Sequence, residues 1–160
     1  MRTCVFAGSF DPFTKGHAFV VEKCLEIFDK VIIAIGVNVD KKPLFSLEKR
    51  KTILCELYQD NDRIKIAEYQ GMLTDFMKKN DVKFTVRGIR NQDDFKYESN
   101  MARYNEDMFP DCVTVYIQTP ATLEHVSSTA MRNIISIGGD ISQYLPEKCL
   151  PLLQKFIKEK

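Results

Sequence analysis

The chain has 160 residues, of which 44% are apolar and 28% charged, and 23 Lys and Arg residues against 22 Asp and Glu residues leave a net charge of +1. This length and mixture are typical of one globular domain, which we expect to span residues 1–160. The near-neutral charge argues against a domain that binds nucleic acid by neutralising phosphates. No apolar run approaches the roughly 18 residues of a membrane-spanning helix, so we expect neither nucleic acid nor membrane as a partner.

The N-terminal segment and the cysteines both predict a cytoplasmic protein. The segment MRTCVFAGSF lacks the basic and long apolar regions of a secretion signal. The five cysteines are scattered without a CxxC pair, which predicts free, buried thiols rather than disulfides. The two histidines form no His/Cys cluster with zinc-ligand spacing, so we expect no metal held by the protein itself.

Short β-branched runs alternate with longer amphipathic segments along the chain. The spacing predicts strands over residues 2–7, 31–37, 64–67, 83–86 and 112–118. It predicts helices over residues 17–28, 46–57 with Ser46 as the N-cap, 72–79, 93–108, 128–137 and 146–158. This alternation favours an α/β fold, a doubly wound parallel five-stranded sheet in a single domain. Ligands of such folds bind beyond the carboxyl ends of the strands.

The segment GSFDPFTKGH, residues 8–17, connects the first predicted strand to the first helix. It matches neither the P-loop nor the GxGxxG dinucleotide pattern. It nevertheless has glycines that allow close backbone approach, a small hydroxyl and a helix N-terminus, the features of a phosphate site. His17 lies in the first helical turn, from where its ring could donate a hydrogen bond to a phosphate oxygen. The alternative is a glycine-rich turn with a solvated histidine, and spacing alone does not separate the two.

Three further loops at the same predicted edge of the sheet carry cations or hydroxyls. Lys41 and Lys42 follow the second strand, Arg87 and Arg90 follow the fourth, and residues 127–129 precede the fifth helix. Guanidinium groups pair well with phosphate oxygens. Each segment alone also fits a solvated loop or a simple N-cap. Their convergence on one edge favours a phosphate-binding cleft.

These segments carry a family resemblance. GSFDPFTKGH resembles the GxFDPxTxGH signature of small adenylyltransferases, while KKPLF, RGIRNQDDFKYE and VSSTAMR resemble later motifs of bacterial phosphopantetheine adenylyltransferases. The resemblance extends over residues 2–158 and implies a Rossmann-like nucleotidyltransferase fold. It implies transfer of the adenylyl group of ATP to 4′-phosphopantetheine, giving dephospho-coenzyme A and pyrophosphate in coenzyme A biosynthesis. It also implies Mg²⁺ delivered with ATP, a homohexamer, and inhibition by coenzyme A.

The resemblance also implies site residues, taken over motif by motif. The implied catalytic residues are His17, which would stabilise the transition state, Lys41, Arg90 and Ser128. The implied contacts of 4′-phosphopantetheine are Ser9, Lys41, Leu73 and Arg87. The implied contacts of ATP are Ser9, Phe10, His17, Gly88, Ile89, Arg90, Glu98, Leu123, Glu124, His125, Val126, Ser127, Ser128 and Thr129.

The implied reaction requires no general base. A phosphate monoester has a second pKa of about 6 and is mostly a dianion at neutral pH. Catalysis would then consist of positioning and of neutralising charge at the α-phosphate. We therefore interpret Asp11 as a turn residue and Glu98 as a contact to a neutral or donor part of ATP.

Two alternatives stay open at this point. One is a related adenylyl- or cytidylyltransferase that acts on another phosphomonoester, such as nicotinamide mononucleotide. The other is a non-catalytic nucleotide-binding regulator with the same fold. Incubation with ATP and each acceptor separately would distinguish them.

Overall fold

Five parallel strands form one sheet in the order β3-β2-β1-β4-β5 in a computed structural model, which describes residues 1–159. The strands are β1 (Thr3–Gly8), β2 (Lys30–Val37), β3 (Ile64–Gln70), β4 (Phe84–Ile89) and β5 (Val113–Gln118). The helices are α1 (Lys15–Ile27), α2 (Leu47–Tyr58), α3 (Leu73–Lys79), α4 (Gln92–Met108), α5 (Ser128–Ser136) and α6 (Leu150–Lys158). The predicted doubly wound α/β sheet is confirmed.

Strands β1 and β2 are apolar on both faces because helices cover both sides of the sheet. Phe6 and Ile33 face the cluster that includes α1 and α2. Val5 and Ile32 face a second cluster, which includes Met77 of α3. The strand order changes direction at β1, whose neighbours are β2 on one side and β4 on the other. That switch point is where an open α/β sheet forms a crevice.

The C-terminal elements attach to α2 rather than to the sheet. Met131 of α5 and Leu153 of α6 are buried with Phe45 and Ile53, which lie just before and within α2. This third apolar cluster places the N-terminus of α5 beside the loop that follows β1. Among residues 1–159, no helix combines the length and the apolar character needed to cross a membrane.

The fourth strand is longer than predicted. The sequence predicts a strand over residues 83–86 followed by a loop, but Arg87, Gly88 and Ile89 pair in register with residues 116–118 of β5. Only Arg90 lies in the loop. The prediction was wrong because the apolar run ends at Val86 and glycine has a low intrinsic strand preference, whereas pairing with a neighbouring strand decides the conformation. Because the extension makes Arg87 a strand residue, its side chain projects from one face of the sheet.

Smaller differences occur at other boundaries. The first helix begins at Lys15 rather than at residue 17, because Thr14 is its N-cap. The third strand continues to Gln70 instead of ending at residue 67, since it pairs with β2 along its whole length. The last helix begins at Leu150, after a short 3₁₀ turn over Glu147–Cys149. Four of the five free cysteines are buried as predicted, but Cys55 is exposed on α2.

A buried carboxylate joins the loop after β1 to the loop after β2. The two carboxylate oxygens of Asp11, which is 4% exposed, accept hydrogen bonds from the backbone N–H groups of Leu44 at 2.7 Å and Phe45 at 2.8 Å. Arg50, 5% exposed, donates to the carbonyl oxygens of Ser9 at 2.7 Å and Phe45 at 3.1 Å. Asp11 and Arg50 therefore fix the conformation of both loops together.

We predict that Asp11→Asn lowers the free energy of unfolding by about 1–3 kcal/mol, because an amide NH₂ would replace one acceptor oxygen and leave a buried N–H unpaired. Asp60→Asn is the matched control: Asp60 is an exposed carboxylate whose ion pair with Lys148 lies at the surface, so its loss should change stability by less than about 0.5 kcal/mol. Urea denaturation of both variants measures the difference. Equal stabilities would contradict the role given to Asp11.

Candidate active site

A cleft of about 350 Å³ opens at the switch point between β1 and β4. Its walls come from the loop after β1, from the end of β4 with the facing side of α4, and from the N-terminus of α5. Its charged lining residues are Arg87, Arg90, Arg132, Asp94 and Glu98. Three guanidinium groups and a helix N-terminus in one cleft favour an anionic ligand.

His17 is held in one orientation and one tautomer at the start of α1. The backbone N–H of Thr14 donates to Nδ1 of His17 at 3.0 Å, and the His17 backbone N–H donates to Thr14 Oγ1 at 3.4 Å. The imidazole also contacts the rings of Phe10 and Phe13, with centroids 5.1 and 5.3 Å away. Because Nδ1 accepts a hydrogen bond from a backbone N–H, the neutral ring carries its proton on Nε2. The Nε2–H group is the donor left for a ligand.

The surroundings of His17 keep its ring uncharged. Burial is the largest cause, followed by the positive charges of Arg87 and Arg90, and together they lower its pKa from 6.5 to about 4. At neutral pH the ring is therefore a neutral hydrogen-bond donor. It cannot neutralise an anion by its own charge, so that task falls to the guanidinium groups.

Arg87 is attached to Glu98 through two parallel hydrogen bonds. Its Nε donates to Oε2 at 2.7 Å and its Nη2 donates to Oε1 at 2.8 Å, while Nη1 donates to the carbonyl oxygen of Ala7 at 2.6 Å. A guanidinium has five N–H groups, so two remain available for a ligand. The arrangement fixes the guanidinium group beside the end of β1.

Arg90 is paired in a similar way with Asp94, which lies one turn before Glu98 on α4. Its Nε and Nη2 donate to the two carboxylate oxygens of Asp94 at 2.9 and 3.1 Å, and its backbone N–H also donates to Oδ2 at 3.1 Å. The side chain of Asn91 caps α4 by accepting from the N–H of Asp94 at 2.9 Å. Asp94 is thus held in place by the helix start, and it holds Arg90 in turn.

The N-terminus of α5 presents further donors to the cleft. Ser127 is the N-cap and accepts from the N–H of Ala130 at 3.0 Å, while the hydroxyl of Ser128 donates to the carbonyl oxygen of Pro12 at 2.8 Å. The backbone N–H groups of the first helical residues have no helical acceptor, which makes this end suitable for phosphate oxygens. Ser128 also ties α5 to the loop after β1.

Arg132 lines the cleft and was missed by sequence reasoning. Its Nη1 donates to the carbonyl oxygen of Asp11 at 2.8 Å and its Nη2 donates to Thr129 Oγ1 at 3.1 Å. It has no salt-bridge partner in the part of the chain that the structure describes. A signal was present in the sequence, since Arg132 stands four residues after Ser128 and therefore on the same face of the helix.

A second cavity, of about 580 Å³, lies on the other side of β1. Its further lining comes from the end of β2 and from residues 69–71. Gly8, Ser9 and Arg87 line both cavities. Ligands bound in the two cavities would therefore meet at the carboxyl end of β1.

The structure brings most of the predicted site residues to these two cavities. Those that line the cleft are Ser9, Phe10, His17, Arg87, Gly88, Arg90, Glu98, Val126, Ser127, Ser128 and Thr129. Those that line neither cavity are Lys41, Leu73, Ile89, Leu123, Glu124 and His125. Lys41 is exposed in the loop after β2, and the ring of His125 contacts Tyr144, with centroids 5.8 Å apart.

Phe10 and Glu98, both predicted contacts of ATP, already interact with other residues of the protein. The ring of Phe10 is buried against Phe6 and His17, although the residue borders the cleft. Glu98 already accepts two hydrogen bonds from Arg87. Among residues 1–159, no group of three or more His, Cys, Asp and Glu side chains is arranged to hold a metal ion.

Comparison with known proteins gives close relatives over nearly the whole chain. A phosphopantetheine adenylyltransferase from Porphyromonas gingivalis is 44% identical over 143 residues, covering 89% of this chain and 93% of the relative. One from Clostridium tetani is 35% identical over 150 residues, covering 94% of each chain.

A solved structure shares the fold at low sequence identity. It is a bifunctional NMN adenylyltransferase/ADP ribose pyrophosphatase from Francisella tularensis, with a TM-score of 0.74 and 22% identity. The alignment covers 99% of this chain but only 49% of that protein, so this chain spans about half its length. The expected nucleotidyltransferase fold is thereby confirmed.

The family described as cytidylyltransferase-like matches residues 5–134, a range that contains both the loop after β1 and the N-terminal turns of α5. The relatives matched over nearly the whole chain identify one group of enzymes within this family. The chain therefore belongs to the cytidylyltransferase-like family and, within it, to the phosphopantetheine adenylyltransferases.

Proposed function

We propose that this chain, acting as one domain in the cytoplasm, transfers the adenylyl group of ATP to 4′-phosphopantetheine and releases dephospho-coenzyme A and pyrophosphate. The observation that carries the proposal is the meeting of two cavities at Ser9 and Arg87, next to a neutral histidine donor. The relatives that cover nearly the whole chain bear the name of this enzyme.

ATP would occupy the cleft between β1 and β4. The N-terminus of α5, Arg90 and Arg132 would bind its triphosphate, and Nε2–H of His17 would donate to an oxygen of the α-phosphate. The predicted nucleotide contacts at Ile89 and over residues 123–125 line neither cavity but adjoin in sequence the lining residues Gly88, Arg90 and Val126, and they remain part of the proposal. Mg²⁺ would arrive with ATP as part of that substrate.

The acceptor would occupy the second cavity, with its phosphate at the junction beside Arg87 and Ser9. Lys41 and Leu73 remain proposed contacts, because each follows closely on a segment that lines this cavity, residues 36–39 and 69–71 respectively. An oxygen of the acceptor phosphate would form a bond to the α-phosphorus of ATP. The bond from the α-phosphorus to the bridging oxygen would break, and that oxygen would leave with pyrophosphate.

Positioning and neutralisation of charge would supply the catalysis. The two carboxylates of the cleft, Asp94 and Glu98, are each paired with an arginine, which supports a role in orienting guanidinium groups rather than in accepting a proton. The attacking phosphate is already ionised at neutral pH. The site would therefore gain its rate by holding two anions in line and by donating hydrogen bonds to the α-phosphate.

An exposed aromatic stripe on α4 supports the proposal of a homo-oligomer, the hexamer that the family resemblance implies. Tyr97 and Tyr104 are 63% and 60% exposed, and Met101 lies between them on the same face of the helix. Exposed apolar patches of this kind often mark protein interfaces. Inhibition by coenzyme A is part of the same proposal, since coenzyme A and the product share the pantetheine and adenylyl groups.

The test of the proposed function is an assay of purified protein with ATP-Mg²⁺ and one acceptor at a time. We expect pyrophosphate release and dephospho-coenzyme A, identified by its mass, with 4′-phosphopantetheine. Nicotinamide mononucleotide is the control acceptor. Turnover with nicotinamide mononucleotide alone would favour the other transferase activity, and ATP binding without turnover of either acceptor would favour a regulator.

We predict that His17→Ala lowers kcat by about 10²–10³-fold and changes the KM for ATP much less, since a donor aimed at developing charge acts mainly on the transition state. His17→Gln, which keeps a side-chain N–H donor, should recover part of the rate. Steady-state kinetics on folded variants measure both effects. A kcat for His17→Ala equal to the wild type would exclude this role.

The acid limb of the pH–rate profile should report the acceptor phosphate and not His17. Because the pKa of His17 is lowered to about 4, its ring stays neutral where the phosphate, with a second pKa of about 6, becomes protonated. His17→Gln should therefore reduce kcat/KM at every pH and leave the midpoint of the limb unchanged. A shifted midpoint would mean that His17 titrates in this range.

The same lowered pKa predicts a pH-dependent stability. Between the unfolded value of about 6.5 and the folded value of about 4, the unfolded chain binds more protons, so stability falls as the pH falls through this window. The loss attributable to His17 is at most about 3–4 kcal/mol, from about 1.4 kcal/mol per pH unit over this window. Urea denaturation at a series of pH values should show a flatter dependence for His17→Gln. An unchanged dependence would contradict this assignment.

We predict that Arg87→Lys raises the KM for 4′-phosphopantetheine by about 10–100-fold, because an ammonium cannot keep both bonds to Glu98 and the bond to Ala7 while also facing a ligand. Arg2→Lys, at the exposed N-terminal end of the chain, is the matched control and should behave as the wild type. Initial rates with each substrate varied in turn provide the measurement. A defect confined to ATP would show that Arg87 serves the other substrate.

A further inference from the structure

Tyr69 lies at the end of β3 and reaches across the sheet into the second cavity. Its ring packs beside Phe76, with centroids 5.4 Å apart. Its register partner on β2 is Gly36, and a Cβ atom at Gly36 would stand only 3.3 Å from the tyrosine hydroxyl. The glycine thus leaves the space in which the end of the tyrosine ring lies over β2.

The hydroxyl of Tyr69 has no hydrogen-bond partner within residues 1–159, and the side chain is half-buried at the wall of the second cavity. Burial raises the pKa of Tyr69, and the nearby positive charge of Arg87 lowers it by a smaller amount. The hydroxyl therefore stays protonated at neutral pH. Because no protein group within the described residues accepts from it, this hydroxyl is free to donate to a ligand in the second cavity.

Tyr69 and Arg87 face the same cavity from opposite sides. Arg87 extends from β4 over the end of β1, where it donates to the carbonyl oxygen of Ala7, and Tyr69 extends from β3 over Gly36 at the end of β2. Both line the second cavity together with Ser9. The cavity thus combines a cation, which attracts an anion, with a neutral O–H donor on the opposite wall.

We propose that the Tyr69 hydroxyl donates a hydrogen bond to the phosphate of the acceptor, which makes Tyr69 a specificity-determining residue for a phosphorylated acceptor. This inference rests on the proposed function, since it takes 4′-phosphopantetheine as the occupant of the second cavity. Arg87 selects negative charge, and Tyr69 adds a directed donor that fixes where the phosphate lies relative to the ATP cleft. The phenol contributes to recognition without adding charge.

The experiment compares Tyr69→Phe with the wild type for two ligands, 4′-phosphopantetheine and pantetheine, which lacks the phosphate. Loss of a hydrogen bond to a charged group should weaken binding of 4′-phosphopantetheine by about 10–100-fold, measured by calorimetry and by KM. The inhibition constant of pantetheine and the KM for ATP should change less than about twofold. Tyr58→Phe, a tyrosine in α2 outside both cavities, is the matched control and should leave all of these values unchanged.

The ring of Tyr69 is kept in Tyr69→Phe, so its packing on Phe76 is preserved, and thermal unfolding checks the fold. Should that variant not fold, Gly36→Ala displaces the hydroxyl and is expected to weaken 4′-phosphopantetheine selectively. An unchanged affinity, or an equal loss for pantetheine, would overturn the inference. A wild-type protein that does not turn over 4′-phosphopantetheine would instead overturn the proposed function, so the two failures are distinguishable.

Discussion

The buried carboxylate of Asp11 accepts hydrogen bonds from two backbone N–H groups of the loop after β2, and the loop after β1 takes its shape from this attachment. Other carbonyl oxygens of the same loop are acceptors for distant side chains: Ser9 for Arg50, Asp11 for Arg132 and Pro12 for Ser128. A single short segment is thus bonded to α2 and to α5. The side chains of this loop that face the cleft are therefore positioned by hydrogen bonds that the loop makes with α2 and α5, outside the cleft.

The electrostatics of the cleft follow from how its charges are anchored. Two of its three arginines are each held by a carboxylate in a two-point contact, and both pairs are partly buried. Holding a guanidinium in this way removes its freedom before a ligand arrives, so less entropy is lost on binding. The same positive groups, together with burial, keep His17 neutral. A donor without charge next to fixed cations is suited to a reaction in which both partners are anions.

The fold was largely predictable because β1 and β2 bury continuous apolar runs and α1 buries one apolar face. The N-cap at Ser46 and the apolar run of β2 illustrate this local determination. The extension of β4 through Arg87–Ile89 was not predictable, since it depends on pairing with a strand about 30 residues away in sequence. Two of the predicted site residues, His17 and Ser128, line the cleft because each stands in the first turn of a helix that begins there. The helix spacing places Arg132 on the same face as Ser128, but its contact with the loop after β1 depends on the packing of α5 against α2 and α6, which local sequence does not give.

Ser9 and Arg87 line both cavities, and this affects how the reaction product binds. Under the proposed function, the product spans both cavities and keeps contacts that the two substrates make separately. Joining two ligands into one raises the effective concentration of each half beside its own site. Compounds with a covalent link between an adenosine phosphate and a pantetheine arm should therefore bind more tightly than either half. Because the product contacts both cavities, it dissociates only when both sets of contacts break. We therefore expect product dissociation to be the slow step of turnover.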